Sequence, residues 1–174
     1  MTNTRNSDLA LRSNPKPNIY LDCDGVLADF DGAAIEILGR HPRDFEERFG
    51  TERFWKELQQ AADFYANLPL LADARELFEG TQRLSPILLT GCPEGNWAEA
   101  QKIAWAARHF PGTKIITCRS AEKSQYAKPG DILVDDYPRY RSLWEDAGGI
   151  FILHTSADQS LRELGEVLGK PFNE

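Results

Sequence analysis

Five short apolar runs punctuate the chain: Ile19-Tyr20-Leu21, Pro86 to Leu89, Lys114 to Thr117, Asp131 to Val134 and Gly149 to Leu153. Between them apolar residues recur at helical spacing, as in Ala74-Leu77-Phe78 before the second run and Ile103-Ala104-Ala107 before the third. Two later helical stretches are predicted at about Tyr137 to Asp146 and Ala157 to Leu168. Short strands alternating with helices predict a parallel sheet of the α/β class. Residues 31–71 interrupt the alternation with a helical pattern that lacks a convincing strand, and they are read as an inserted helical cap. The cap holds Phe45, Phe49, Phe54, Trp55, Phe64 and Tyr65. Aromatics of this kind usually pack helices together, and one or two are free to line a pocket. Residues 1–17 are mostly polar and are expected to form a mobile tail, leaving 18–30 and 72–170 as the core domain.

Composition narrows the picture. A chain of 174 residues accommodates one domain with a small insert. Cys23, Cys92 and Cys118 are odd in number and widely spaced, so neither a disulfide framework nor a zinc site is suggested and a cytoplasmic location is expected. No apolar stretch is long enough to span a bilayer, so no membrane association is expected. The formal charge of −7 and the lack of a Lys/Arg cluster argue against a nucleic acid polymer as partner, while leaving room for a small anion at one local site.

The first strand ends in Asp22-Cys23-Asp24-Gly25, and strand alternation predicts that both carboxylates share one side. Asp135-Asp136 ends the run Asp131 to Val134 in the same manner. In an open α/β sheet both pairs would meet beyond the carboxyl ends of the strands. Converging carboxylates without a His cluster form an all-oxygen site suited to Mg²⁺. Each pair alone is equally readable as a capping or solvated acidic turn. Thr90-Gly91 ends the second run, where a hydroxyl and backbone N–H groups could hold phosphate oxygens, and Lys123 or Lys128 could bring positive charge to the acids. Cys23, flanked by acids and pointing away from them, is expected to be a structural thiol. His41, His109 and His154 have no mutual spacing suited to metal or base work.

Asp22-Cys23-Asp24-Gly25-Val26-Leu27, Thr90, a later Lys and Asp135-Asp136, in that order, resemble the haloacid dehalogenase (HAD) superfamily of phosphotransferases. Within it, the stretches Asp24 to Phe30 and Ile132 to Asp136 look most like the 5'(3')-deoxyribonucleotidases. The resemblance implies a three-layer α/β/α Rossmann-like parallel sheet with a helical cap inserted after the first strand. It implies Asp22 as nucleophile, Asp24 as acid and base, and Mg²⁺ held by Asp22, the Asp24 backbone carbonyl and Asp136, with Asp135 in support. Thr90 and Gly91 would meet the phosphoryl group, Lys123 would neutralise it, and Phe30 would line the substrate pocket. The sequence departs from the nucleotidase pattern at Gly91-Cys92-Pro93, at the position of Lys123, which leaves Lys128 an alternative, and in a shorter cap. The expected function is a Mg²⁺-dependent phosphomonoesterase acting on a small phosphorylated substrate, foremost a 5'-nucleoside or 5'-deoxynucleoside monophosphate. The alternatives are a sugar phosphate or similar metabolite, or a catalytically silent binding protein of the same fold. The reading admits a homodimer.

Overall fold

A computed structural model describes residues 16–170. The expected tail over 1–17 lies outside the described residues except for Lys16 and Pro17. The chain runs β1 (Ile19–Leu21), α1 (Phe30–Leu38), α2 (Pro42–Phe49), α3 (Thr51–Gln60), α4 (Ala74–Thr81), β2 (Ile87–Gly91), α5 (Glu99–His109), β3 (Ile115–Cys118), β4 (Ile132–Asp135), α6 (Arg141–Asp146), β5 (Ile150–Leu153) and α7 (Ala157–Leu168). Each of the five apolar runs overlaps a strand, with β2, β3 and β4 extending one or two residues beyond the run. The strands form one sheet in the order β3-β2-β1-β4-β5, and every pairing is parallel.

Alternation along the central strand divides the core. Ile19 and Leu21 join Leu77, Trp105, Leu161 and Leu164 from α4, α5 and α7, whereas Tyr20 packs with Leu89, Leu133, Trp144 and Phe151 on the opposite face. Helices on both faces make an α/β/α sandwich, and full burial explains why β1 reads as an unbroken apolar run. Burying a large apolar side chain stabilises the fold by roughly 1.5–3 kcal/mol. Trp105 adds a polar tie, because its indole N–H donates to the Leu68 carbonyl at 2.8 Å.

One helix is rotated relative to the sequence reading. On α5 the buried residues are Lys102, Trp105 and Ala106, not the Ile103-Ala104-Ala107 stripe, and Ile103 is 44% exposed. The bulk of Trp105 and Phe110 sets the rotation, and a lysine occupies a core-facing position of the stripe as a result.

Between β1 and α4 the chain forms α1, α2, α3 and a short 3-10 turn at Tyr65–Asn67. Asp29 caps α1 by accepting from the Gly32 N–H at 2.9 Å. The two ends of this excursion are stitched together, with Asp29 N–H donating to the Pro69 carbonyl and Leu71 N–H to the Leu27 carbonyl, both at 2.9 Å. Phe45, Phe54, Leu58, Phe64 and Tyr65 are buried in continuity with the main core, which agrees with the packing role read for most of these aromatics. No helix among the described residues is long and apolar enough to cross a membrane.

Candidate active site

The site follows from strand order. Because β4 lies beside β1, Leu21 pairs with Val134, and the Asp22 N–H donates to the Val134 carbonyl at 2.9 Å. Asp22 and Asp135 therefore leave the sheet side by side. Gly25 brings in the last acid. Its φ of +75° turns the chain back, and a Cβ there would sit 2.2 Å from Asp136 Oδ2, so the absent side chain makes the space that Asp136 fills. Asp22, Asp135 and Asp136 can each present an oxygen within 4.8 Å of the others.

Two lysines serve the acids of the site from opposite faces of the sheet, Lys123 the pair Asp22 and Asp135, and Lys102 the neighbouring Asp24. Lys123 lies in the 3-10 stretch Ser120–Tyr126, on the Tyr20 face, where the Tyr20 hydroxyl donates to the Tyr126 carbonyl. Its Nζ is 2.7 Å from Asp135 Oδ2 and 3.0 Å from Asp22 Oδ1, with only 8% of the side chain exposed. Lys128 is exposed, and it is its backbone that is tied to Asp131, the N–H donating to the carboxylate and the carbonyl accepting from the Asp131 N–H. The geometry thus separates the two candidates that the sequence leaves open. Lys102, on the Leu21 face, donates to Asp24 Oδ2 at 2.6 Å and to Thr90 Oγ1 at 3.0 Å, and its Nζ stands 4.2 Å from the centroid of the Tyr65 ring.

Asp22 and Asp24 both border one cleft, but they answer to different lysines. Regular strand ends at Leu21, and after the turn at Gly25 the Asp24 carboxylate meets the α5 lysine while Asp22 meets Lys123. Alternation holds only within extended backbone. Cys23 is buried in the core between them, as read. Thr90 is fully buried behind Gly91, which itself borders the cleft, so Thr90 meets Lys102 rather than open space.

Burial and mutual repulsion set the titration of the acids. Burial, then Asp22, Asp135 and Asp24, push the Asp136 carboxyl up to about 7. Asp135 is raised by burial and by Asp22, against the pull of Lys123 and of the Tyr137 N–H that donates to it. Asp24 is raised by burial first, with Lys102 opposing and Asp22 adding. Burial would lower both ammonium groups, but their carboxylates outweigh it, and Lys102 and Lys123 are both held above the ordinary lysine range. The Cys23 thiol is pushed up to about 12, chiefly by burial, which removes it as a nucleophile.

Asp22, Asp135 and Asp136 against Lys123 leave two formal negative charges in one place. Asp22 Oδ1 and Asp24 Oδ1 are buried without a well-aligned hydrogen-bond donor. An all-oxygen donor set with surplus negative charge fits a hard divalent cation such as Mg²⁺.

Above the acids opens a cleft of about 960 Å³, bordered by Asp22, Asp24 and Gly91 below and by Phe30, Trp55 and Tyr65 above. Phe30 stands edge-on to Phe64 at 5.5 Å and also meets Trp55 and Tyr65, so it is both a packing residue and a cleft wall. The imidazoles of the three histidines are engaged elsewhere: His41 caps α2, His109 packs on Trp105, and the His154 ring bonds to Ser160, while the His154 backbone N–H donates to the Asp135 carbonyl.

Lys102 is the residue that reading the sequence missed. The available signal was a lysine in phase with Ala98, Trp105 and Ala106 on an otherwise apolar stripe, a position where an unpaired charge is costly.

No family model and no curated protein matches the chain. Among solved structures, it is similar to a hydrolase from Streptococcus pneumoniae TIGR4 at 18% identity and a TM-score of 0.51, over 88% of this chain and 99% of that one. It also aligns with a HAD hydrolase, family IA, variant 3, from Entamoeba histolytica HM-1:IMSS at 16% identity and a TM-score of 0.46, over 88% and 90% of the two chains. At such identities the first likeness establishes a shared fold, in agreement with the α/β/α architecture.

Proposed function

We propose that the protein is a Mg²⁺-dependent phosphomonoesterase that works through an aspartyl-phosphate on Asp22, with a 5'-nucleoside or 5'-deoxynucleoside monophosphate as the foremost substrate. The observation that carries the reading is the convergence of Asp22, Asp135 and Asp136 with a buried Lys123 on the lining of a cleft. A lone carboxylate repels an anionic ester, whereas one flanked by an ammonium and a divalent cation can approach phosphorus.

In this reading an oxygen of Asp22 attacks phosphorus as the ester P–O bond breaks, and Asp24 gives the leaving oxygen its proton. Asp24 then takes a proton from the water that displaces phosphate from Asp22, so one hard displacement becomes two easier ones. Lys123 fixes Asp22 and balances the phosphoryl charge. Gly91 borders the phosphoryl end of the cleft, and Thr90, accepting from Lys102, supports the floor from behind. Mg²⁺, when bound, would be held by Asp22, Asp136 and the Asp24 backbone carbonyl, with Asp135 in support, and would supply charge neutralisation and orientation.

The aromatic wall of Phe30, Trp55 and Tyr65 supports a flat leaving group such as a nucleoside. The test is hydrolysis of a panel of phosphomonoesters with and without Mg²⁺, using wild-type and Asp22→Asn protein. Metal-dependent phosphate release with a preference for nucleotides, lost in Asp22→Asn, is expected. Preference for sugar phosphates would shift the substrate class, and failure on every ester would favour a silent binding protein.

A further inference from the structure

We infer that Lys102 is a positioning residue for the acid–base carboxylate Asp24, a role that rests on the phosphomonoesterase reading above. Three observations converge on it. The Lys102 ammonium is withdrawn from water, with 3% of its side chain exposed. Its partners are all fixed groups: Asp24 Oδ2 at 2.6 Å, Thr90 Oγ1 at 3.0 Å and the Tyr65 ring face at 4.2 Å. The second oxygen of the same carboxylate, Asp24 Oδ1, is buried and has no hydrogen-bond partner.

Together these fix the orientation of the Asp24 carboxylate. Oδ2 is clamped by a charge-assisted hydrogen bond, and the clamp cannot drift, because Thr90 lies on a central strand and Tyr65 is locked by packing and by its backbone N–H bond to Gln101. The carboxylate is consequently held in one orientation against the cleft that it borders, where it can hand the proton to the leaving group and recover it from water. A buried acceptor without a partner calls for such an explanation. The Tyr65 contact also links the carboxylate to the segment that carries the aromatic wall, so the leaving group and the proton donor are registered on one rigid cluster. Lys102 itself touches no reacting atom in this account.

The test exploits leaving-group basicity. Phenyl phosphate and p-nitrophenyl phosphate are similar in size, but the phenolate needs a proton as it departs far more than the nitrophenolate does. kcat/KM, which reports the first chemical step, is measured for both esters with wild-type and Lys102→Met protein. A misplaced acid should cost about 100-fold on phenyl phosphate and less than about fivefold on p-nitrophenyl phosphate, with KM for both within about threefold of wild type. Because the single variant strands a buried carboxylate and is liable to unfold, Asp24→Asn and Asp24→Asn/Lys102→Met are compared as well. With Asp24 already disabled, removing Lys102 should change phenyl phosphate turnover by less than about threefold. Equal losses on both esters, or a full further loss in the Asp24→Asn background, would overturn the positioning role and leave Lys102 a packing residue. Wild-type protein inert toward both esters would instead sink the phosphomonoesterase reading, and this role with it.

Discussion

Lys123 stands between two carboxylates, Asp22 at 3.0 Å and Asp135 at 2.7 Å, whereas Lys102 has one, Asp24 at 2.6 Å, and completes its surroundings with a hydroxyl and an aromatic face. Both ammonium groups are almost wholly withdrawn from water. They nevertheless leave different residues of charge. Around Lys123 the third acid, Asp136, remains uncompensated, and that half of the site is poised for a cation. Around Lys102 charge is balanced, and that half is poised for geometry. A buried ammonium therefore has no single meaning: the number of carboxylates facing it decides whether it sets charge or position.

The sharpest way to break this comparison is to remove each lysine. Lys123→Met orphans two buried acids and should abolish measurable phosphate release. It should also lower stability by about 3–5 kcal/mol in urea titrations, more than Lys102→Met, which strands only one. Similar losses in the two variants would erase the distinction.

Gly25→Ala bears first on the cation half. A Cβ 2.2 Å from Asp136 Oδ2, on a backbone with φ of +75°, must displace that carboxylate. Mg²⁺ affinity, measured by calorimetry, should fall by about 10–100-fold.

The pH response separates the halves more gently. Asp136 is raised in the folded state to about 7, so the folded protein holds this proton more tightly than the unfolded chain does. That contribution to stability is complete below the ordinary aspartate range and is lost as pH rises through about 7. Metal-free protein should melt at a lower temperature at pH 8 than at pH 5.5, Mg²⁺ should restore the difference, and Asp136→Asn should flatten the profile. A melting temperature that rises over this interval without metal would contradict the crowding of acids.

Lys128→Ala sets the zero of the scale. Its exposed side chain serves neither half, so activity should stay within about twofold of wild type and stability within about 0.5 kcal/mol. A large loss would return Lys128 to the site in place of Lys123.

The legible part of this protein was whatever local pattern specifies. Five apolar runs marked five parallel strands, and α7 occupies Ala157–Leu168 as its spacing predicts. Acids and hydroxyls at strand ends could be named because ligands in such sheets gather there. The α5 phase could not be read in the same way. Ile103 and Ala104 satisfy a helical stripe as well as Trp105 and Ala106 do, and only contact with Phe110 and the sheet selects between the two. That one ambiguity concealed Lys102.

The sequence by itself determined the class of fold, the acids at the ends of β1 and β4, and the helical character of the segment between β1 and α4. These depend on periodicity and on residue type, which are local properties of the chain. Tertiary structure alone decided that Asp22 and Asp24 answer to different lysines, that Lys123 rather than Lys128 reaches the acids, and that Tyr65 lies over Lys102. Each is a contact between residues distant in the chain. Its existence depends on where a strand stops, how a helix is rotated and which strand lies beside which, and no local pattern carries that information.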